Sequence, residues 1–243
     1  MQNSKNAVRK EDEISFRDEK YARIKIAILN ETLEQLKHTN FDDILIVDLC
    51  KNTGISKRTF FNYFPLKSHI ILYLLQIWII EITTSVYHIH GVTAGLELVY
   101  TGFEQFAQKI IQHPSIILEI VKNVFNNDIE KTYIKAITPA EEKLLSLDSS
   151  CLVEAPTLGF RDLLKTAIKN EIASGTLSPL IDLKSIEISM NSILLGVPLC
   201  LDQEELSCLA ANYKEQLTIF WSGYRATCNA SNNALSTNEG SHR

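Results

Sequence analysis

The sequence predicts an all-α protein, and three observations carry that prediction. Gly and Pro are scarce, nine and six in 243 residues, whereas a fold of many short strands needs frequent turns. Apolar residues recur at three- and four-residue steps along most of the chain, the period of one helix face. No run alternates apolar and polar residues as a half-buried strand does. Four segments follow: a polar arm over 1–16, a three-helix head over 17–66, a larger helical body over 67–226, and an Asn-, Ser- and Thr-rich tail over 227–243 expected to be disordered.

Each element has a local reason. From Arg17, the residues Ala22, Ile26, Leu29, Leu33 and Leu36, widened by Ile28, form one stripe, predicting a helix that stops near Asn40. A short helix from Ile44 or Leu45 to Asn52 carries Leu45 and Leu49, with Ile46 and Cys50 beside them. Thr53-Gly54-Ile55-Ser56 reads as a tight turn, since Gly54 takes positive φ without steric cost. Ser56 then caps a helix over Lys57–Tyr63, which Phe64-Pro65-Leu66 ends. A long apolar helix runs from Ser68 to about His88, followed by helices at 93–112, 115–127 and 139–147, the last opened by Pro139 with Glu141 and Glu142 in its first turn. Residues 148–155 are a loop. Pro156–Ser174, closed by Gly175, precedes two final helices at 183–199 and 203–225, the second capped by Asp202.

Composition excludes several classes. At 45% hydrophobic and 22% charged residues, the chain is neither collagen-like nor mucin-like nor wholly disordered. Its greasiest run, Ile70–Ile82, is short for a membrane span and contains Gln76 and Glu81. The polar N-terminus has no apolar signal core, so export is not expected. Five cysteines without CxxC spacing favour neither a disulfide framework nor zinc, and fit a reducing cytoplasm. His88 and His90 are two apart and cannot share a helix face as a metal pair does; His113 reads as a C-terminal residue complementing its helix dipole. With no nucleophile elbow, phosphate loop or paired-carboxylate motif, no enzyme activity, catalytic residue, cofactor or metal site is expected.

The net charge of −5 hides an asymmetry. Residues 1–75 hold 12 Lys/Arg against 10 Asp/Glu, a balance of +2; residues 76–243 hold 12 against 19, a balance of −7. Between 51 and 70 stand Lys51, Lys57, Arg58 and Lys67 with no acid. A basic island on an acidic body is compatible with a DNA-contacting head.

Two short helices around a glycine turn are the sequence image of a helix-turn-helix. Leu49, Ile55 and Phe60 would pin the second of them against Ile28, Leu29 and Leu33. Lys57, Arg58, Thr59, Asn62 and Tyr63 supply donors for phosphates and base edges. Any helical corner can mimic such a pattern, but the string is more specific. Phe41-Asp42-Asp43-Ile44-Leu45-Ile46-Val47-Asp48-Leu49-Cys50, then Gly54-Ile55-Ser56-Lys57-Arg58-Thr59-Phe60-Phe61-Asn62-Tyr63-Phe64-Pro65-Leu66-Lys67, resembles the DNA-binding head of the tetracycline-repressor (TetR/AcrR) family over about residues 20–70. Leu45 departs from that pattern where a capping Thr is common, leaving Asp43 as the expected cap, and Phe61 stands where Tyr is frequent.

The resemblance implies a homodimer reading a palindromic operator in double-stranded DNA, and a body that binds a small inducer and lowers DNA affinity. Its DNA-binding set would be Lys57, Arg58, Thr59, Phe61, Asn62, Tyr63 and Lys67, with Tyr63 and Lys67 on phosphates. Aromatic residues on the helices that surround the inducer in that family are Trp78, Tyr87, Tyr100, Phe103, Phe106, Phe125 and Tyr133; about a third would line a cavity and the rest pack as core. Glu81, Glu97, Glu104 and Glu119 are expected to face water. The apolar stripes Ile186, Met190, Ile193 and Val197, and Leu206, Leu209, Tyr213, Leu217, Phe220 and Tyr224, are expected at a dimer centre, or buried against their own subunit. The function so implied is a ligand-responsive regulator, a repressor released by a small apolar, neutral or weakly cationic inducer. Two alternatives stand beside it: a DNA-bound protein whose body docks another protein, and a helical carrier with a vestigial head.

Overall fold

A computed structural model describes residues 14–125, 137–147 and 161–239. Among these residues there are ten α-helices and no strand, so the protein is all-α. They are α1 (Phe16–Gln35), α2 (Ile46–Thr53), α3 (Lys57–Tyr63), α4 (His69–His90), α5 (Glu97–Gln112), α6 (Ile116–Phe125), α7 (Pro139–Leu145), α8 (Arg161–Ala173), α9 (Leu183–Cys200) and α10 (Leu209–Glu239).

The buried face of α1 differs from the expected stripe. Ala22, Lys25, Ile28, Leu29, Thr32 and Leu36 are buried, while Ile26 and Leu33 are only half-buried. Thr32 is accommodated because its hydroxyl donates to the Ile28 carbonyl at 2.8 Å. The helix also ends earlier than expected, at Gln35, and a 3-10 turn at Phe41–Asp43 carries the chain into α2. Asp43 does not cap α2; its N-cap is Leu45, which offers no side-chain acceptor.

α4 is apolar on every side and lies where such a helix must lie, in the centre. Its most apolar window has a mean hydropathy of 1.7, enough by length and composition to cross a membrane, yet 78% of that window is buried by the protein itself. α1, α5 and α6 pack against α4, while α10 covers α5 and α9. α9 is also long and apolar enough to cross a membrane, but only 22% of its most apolar stretch is buried. It leaves Ile188 and Leu199 on the surface.

The C-terminal half of the fold corrects two expectations. Asp202 does not cap α10; it accepts at 2.9 Å from the amides of Glu204 and Glu205 at the entry to the short 3-10 turn Glu205–Cys208, whose N-cap is Glu204. The segment expected to be a disordered tail continues α10 as helix to Glu239. Pro156, placed at a helix start by the sequence, lies outside the described residues.

Candidate nucleic-acid interface

The α2–turn–α3 unit forms where its local chemistry directs. Gly54 takes φ 69° and ψ 31°, the left-handed conformation that lets the chain leave α2 at once. Ser56 caps α3, its Oγ accepting from the Thr59 amide at 3.1 Å. Leu49 and Phe60 are fully buried, with Ile28 and Leu29 of α1 in the same core. Ile55 and Leu33 pack at its edge.

Of the seven expected DNA contacts, the structure puts four on one outer surface. Lys57, Arg58, Phe61 and Asn62 are all exposed, at positions i, i+1, i+4 and i+5 of α3. Phe61 keeps 45% of its surface accessible while its neighbour Phe60 fills the core. The other three turn toward the protein. The Thr59 hydroxyl sits 2.8 Å from that of Ser56 in the cap. Tyr63 lies against Tyr21, with ring centroids 4.4 Å apart, and burial raises its hydroxyl pKa, with Tyr21 adding to the shift.

Lys67 is the clearest departure. Its Nζ donates to the backbone carbonyls of Phe41 and, at 3.1 Å, of Asp42, and stands over the Phe41 ring. Desolvation lowers its pKa against the opposing pull of Asp42, Glu119 and Asp43. Lys67 therefore ties the segment before α4 to the 3-10 turn in this structure.

Sequence reasoning missed the most buried ion pair. Lys25 of α1 reaches Glu141 of α7, Nζ to Oε1 2.7 Å, with side-chain exposures of 7% and 0%. Lys25 also lies 3.8 Å from the centroid of the Tyr73 ring on α4. Glu141 serves its own helix as well, because its other oxygen accepts from the Thr138 amide at 2.9 Å and from the Thr138 hydroxyl at 2.7 Å, completing the capping box of α7. Desolvation pushes this carboxyl up, but Lys25 and the Thr138 hydrogen bonds outweigh it and hold the pKa below 4.5. The first-turn Glu was legible as a cap; its partner was not, because a lysine in a stripe counts as polar. On the far side of the head, Lys122 of α6 bridges Asp42 at 3.0 Å and Glu119 at 2.6 Å. Glu119, expected to face water, is 8% exposed and paired; Glu97 and Glu104 are exposed as expected. Glu81 pairs with Lys109 at 2.6 Å.

Among the described residues, most of the expected aromatic set packs as core or bonds a neighbouring helix. Trp78 is core, between Phe106 and His113 with centroids 6.3 and 6.2 Å away. Burial lowers the pKa of His113, the C-cap of α5, with Lys109 and Lys37 adding to it, and its ring stacks on Trp78. Tyr87 bonds Thr166 at 3.1 Å and Tyr100 pairs with Thr218 at 3.3 Å. The side chain of Phe125 and all of Tyr133 lie outside the described residues. Phe103 borders a cleft, of about 230 Å³, between α5, α8 and α9. Val99, Leu164, Met190 and Leu194 form the rest of its apolar wall, with Arg161, Glu187 and Asn191 as its polar part. Glu187, Met190, Asn191 and Leu194 fall at i, i+3, i+4 and i+7 of α9, a mixed stripe that a search for aromatics passes over.

The expected dimer stripe mostly faces inward. Ile186, Met190, Leu206, Leu209, Tyr213 and Leu217 are buried within the chain itself, and the Tyr213 hydroxyl donates to the Leu194 carbonyl at 2.5 Å. Ile193, Val197 and Phe220 are half-buried, as is Tyr224. Among the described side chains of the same two helices, the exposed large apolar residues are Ile188, Leu199 and Ile219. No family model and no curated protein matches the chain.

Proposed function

We propose that the protein is a DNA-binding transcriptional regulator that works as a homodimer in the cytoplasm, a repressor whose body responds to a small, largely apolar ligand. The observation that carries this reading is the outer face of α3. A lysine, an arginine, an asparagine and an exposed phenylalanine share one surface on a short helix that is held from behind by Phe60 and started by a cap. Neither Lys57 nor Arg58 is ion-paired among the described residues, so both charges are free to meet phosphate or base. The Arg58 guanidinium matches the two acceptors of guanine, and the Asn62 amide matches adenine. The resemblance of residues 20–70 to the tetracycline-repressor head supports the same use.

In this reading, two heads enter successive major grooves about 34–36 Å apart, and ligand favours a head spacing that does not fit them. α4 joins the head to the body core and would carry that change. The exposed Ile188, Leu199 and Ile219 would lie at the twin subunit. A body that docks another protein through the same residues is the second reading, favoured by their exposure alone. Selection of duplexes from a randomised pool on the purified protein tests the proposal. A palindromic consensus with half-sites one helical turn apart supports it; recovery of unselected sequence at a binding strength that only salt controls contradicts it.

A further inference from the structure

The cleft between α5, α8 and α9 has an ion pair whose two members are unequally committed to it. Arg161 Nε donates to Glu187 Oε1 at 2.9 Å, but the Arg161 side chain is 49% exposed and that of Glu187 only 17%. Arg161 can swing into water with its hydration nearly intact. Glu187, against the apolar wall made by Met190 and Leu194, cannot. A ligand carrying an anion would draw Arg161 away, strand the less hydrated carboxylate, and place a like charge beside it. A ligand carrying an ammonium would take the place of the guanidinium on Glu187 and release Arg161 to solvent. The field of the body acts in the same direction, since residues 76–243 have a balance of 12 basic to 19 acidic side chains.

Volume limits the size of the guest. A dry cavity of about 150 Å³ admits benzene, so 230 Å³ admits one ring with a short arm. We propose that this cleft binds a lipophilic monocation of the arylalkyl-ammonium class. The ring packs on Phe103, Met190 and Leu194, and the ammonium donates to Glu187 in place of Arg161. The proposal rests on the reading of the body as a ligand sensor, and it specifies the ligand class and the residue exchanged.

The exchange has a signature that an ordinary two-residue polar site lacks: removing one member weakens binding and removing the other strengthens it. Calorimetry on the full chain without DNA, with three probes of similar size, reads this directly: 2-phenylethylammonium, 3-phenylpropionate and 2-phenylethanol. The cation is expected to bind about tenfold or more tightly than either other probe. Arg161→Gln should tighten the cation several-fold, Glu187→Gln should erase its advantage, and Met190→Trp, which fills the cleft, should abolish all binding. Tightest binding by the propionate, weaker cation binding by Arg161→Gln, binding undiminished in Met190→Trp, or no binding by any probe would each overturn the proposal. Should Glu187→Gln fail to fold, the Arg161→Gln arm still decides the sign. The DNA affinity of the same preparations is measured separately, so loss of the regulator reading would leave the result at the cleft standing.

Discussion

Two ion-pair seams tie residues 17–66 to the helices that follow, and they differ in how far water reaches them. The inner one, Lys25–Glu141 beside Tyr73, is sealed from water and ties α1 to α7. The outer one, Asp42–Lys122–Glu119, ties the 3-10 turn to α6 with Lys122 51% and Asp42 76% exposed. Their distances are nearly alike, so geometry alone would rank them together. Burial separates them. A sealed pair cannot lose one member without leaving a charge in apolar surroundings, whereas water and salt replace either partner of an open pair at small cost. The inner seam is therefore the one whose loss should loosen α1.

The largest effect should come from breaking the inner seam on one side only. Glu141→Gln or Lys25→Met should each destabilise the protein by about 3–5 kcal/mol, read as a shift in the denaturant midpoint. The double variant Lys25→Met/Glu141→Leu should recover much of that loss, because it leaves no buried charge behind. A double variant as unstable as the two singles summed would mean that the pair is not a unit. The pH dependence sharpens the point. Glu141 ionises below its ordinary value of 4.5. Its contribution is thus complete above that value and lost as pH falls through the lower, folded-state pKa. The gap between the parent and Glu141→Gln should narrow on acidification and stay constant on the alkaline side of neutrality.

Lys67 comes next. Lys67→Ala removes charge-assisted hydrogen bonds to two carbonyls and a contact with the Phe41 ring, and should cost about 1–3 kcal/mol. Because Nζ is turned inward, the slope of DNA affinity against salt should not change. A slope reduced by about one per head would show instead that Lys67 turns out to phosphate on binding.

The outer seam should matter least. Asp42→Asn or Asp42→Ala, each of which leaves Lys122 paired with Glu119, should keep the melting temperature within the scatter of surface substitutions, and any residual shift should vanish in high salt. A change in either variant as large as that of Glu141→Gln would erase the distinction between the two seams.

The sequence revealed some parts of this fold better than others, for physical reasons. The α2–turn–α3 boundaries were legible because their signals are local: Gly54 supplies a left-handed conformation, Ser56 bonds an amide three residues on, and Pro65 stops a helix, whereas Leu45, expected on the apolar face of α2, is 58% exposed at its N-cap. The face of α1 was misjudged because its tertiary partner is a carboxylate on α7, more than 100 residues away, and a one-dimensional pattern scores Lys25 as a surface residue. The final helices were left between two readings because an apolar stripe says that a face is buried and not by what. Leu209, Tyr213 and Leu217 are covered by their own chain. At the candidate interface, the types of residue on α3 were readable, but which of them point outward depended on neighbours that only folding supplies, Tyr21 for Tyr63 and Phe41 for Lys67.

That division between outward and inward residues is the central claim, and one paired measurement tests it. Fluorescence anisotropy on a selected and a scrambled duplex, titrated with salt, compares Arg58→Ala with Lys67→Ala. Arg58→Ala should lose about 1–3 kcal/mol on the selected duplex and bind the two duplexes nearly alike. Lys67→Ala, assayed where it remains folded, should keep the parent's preference and salt slope. If Arg58→Ala retains full discrimination while Lys67→Ala loses it, α3 does not read DNA through its outer face, and the account of the head is wrong.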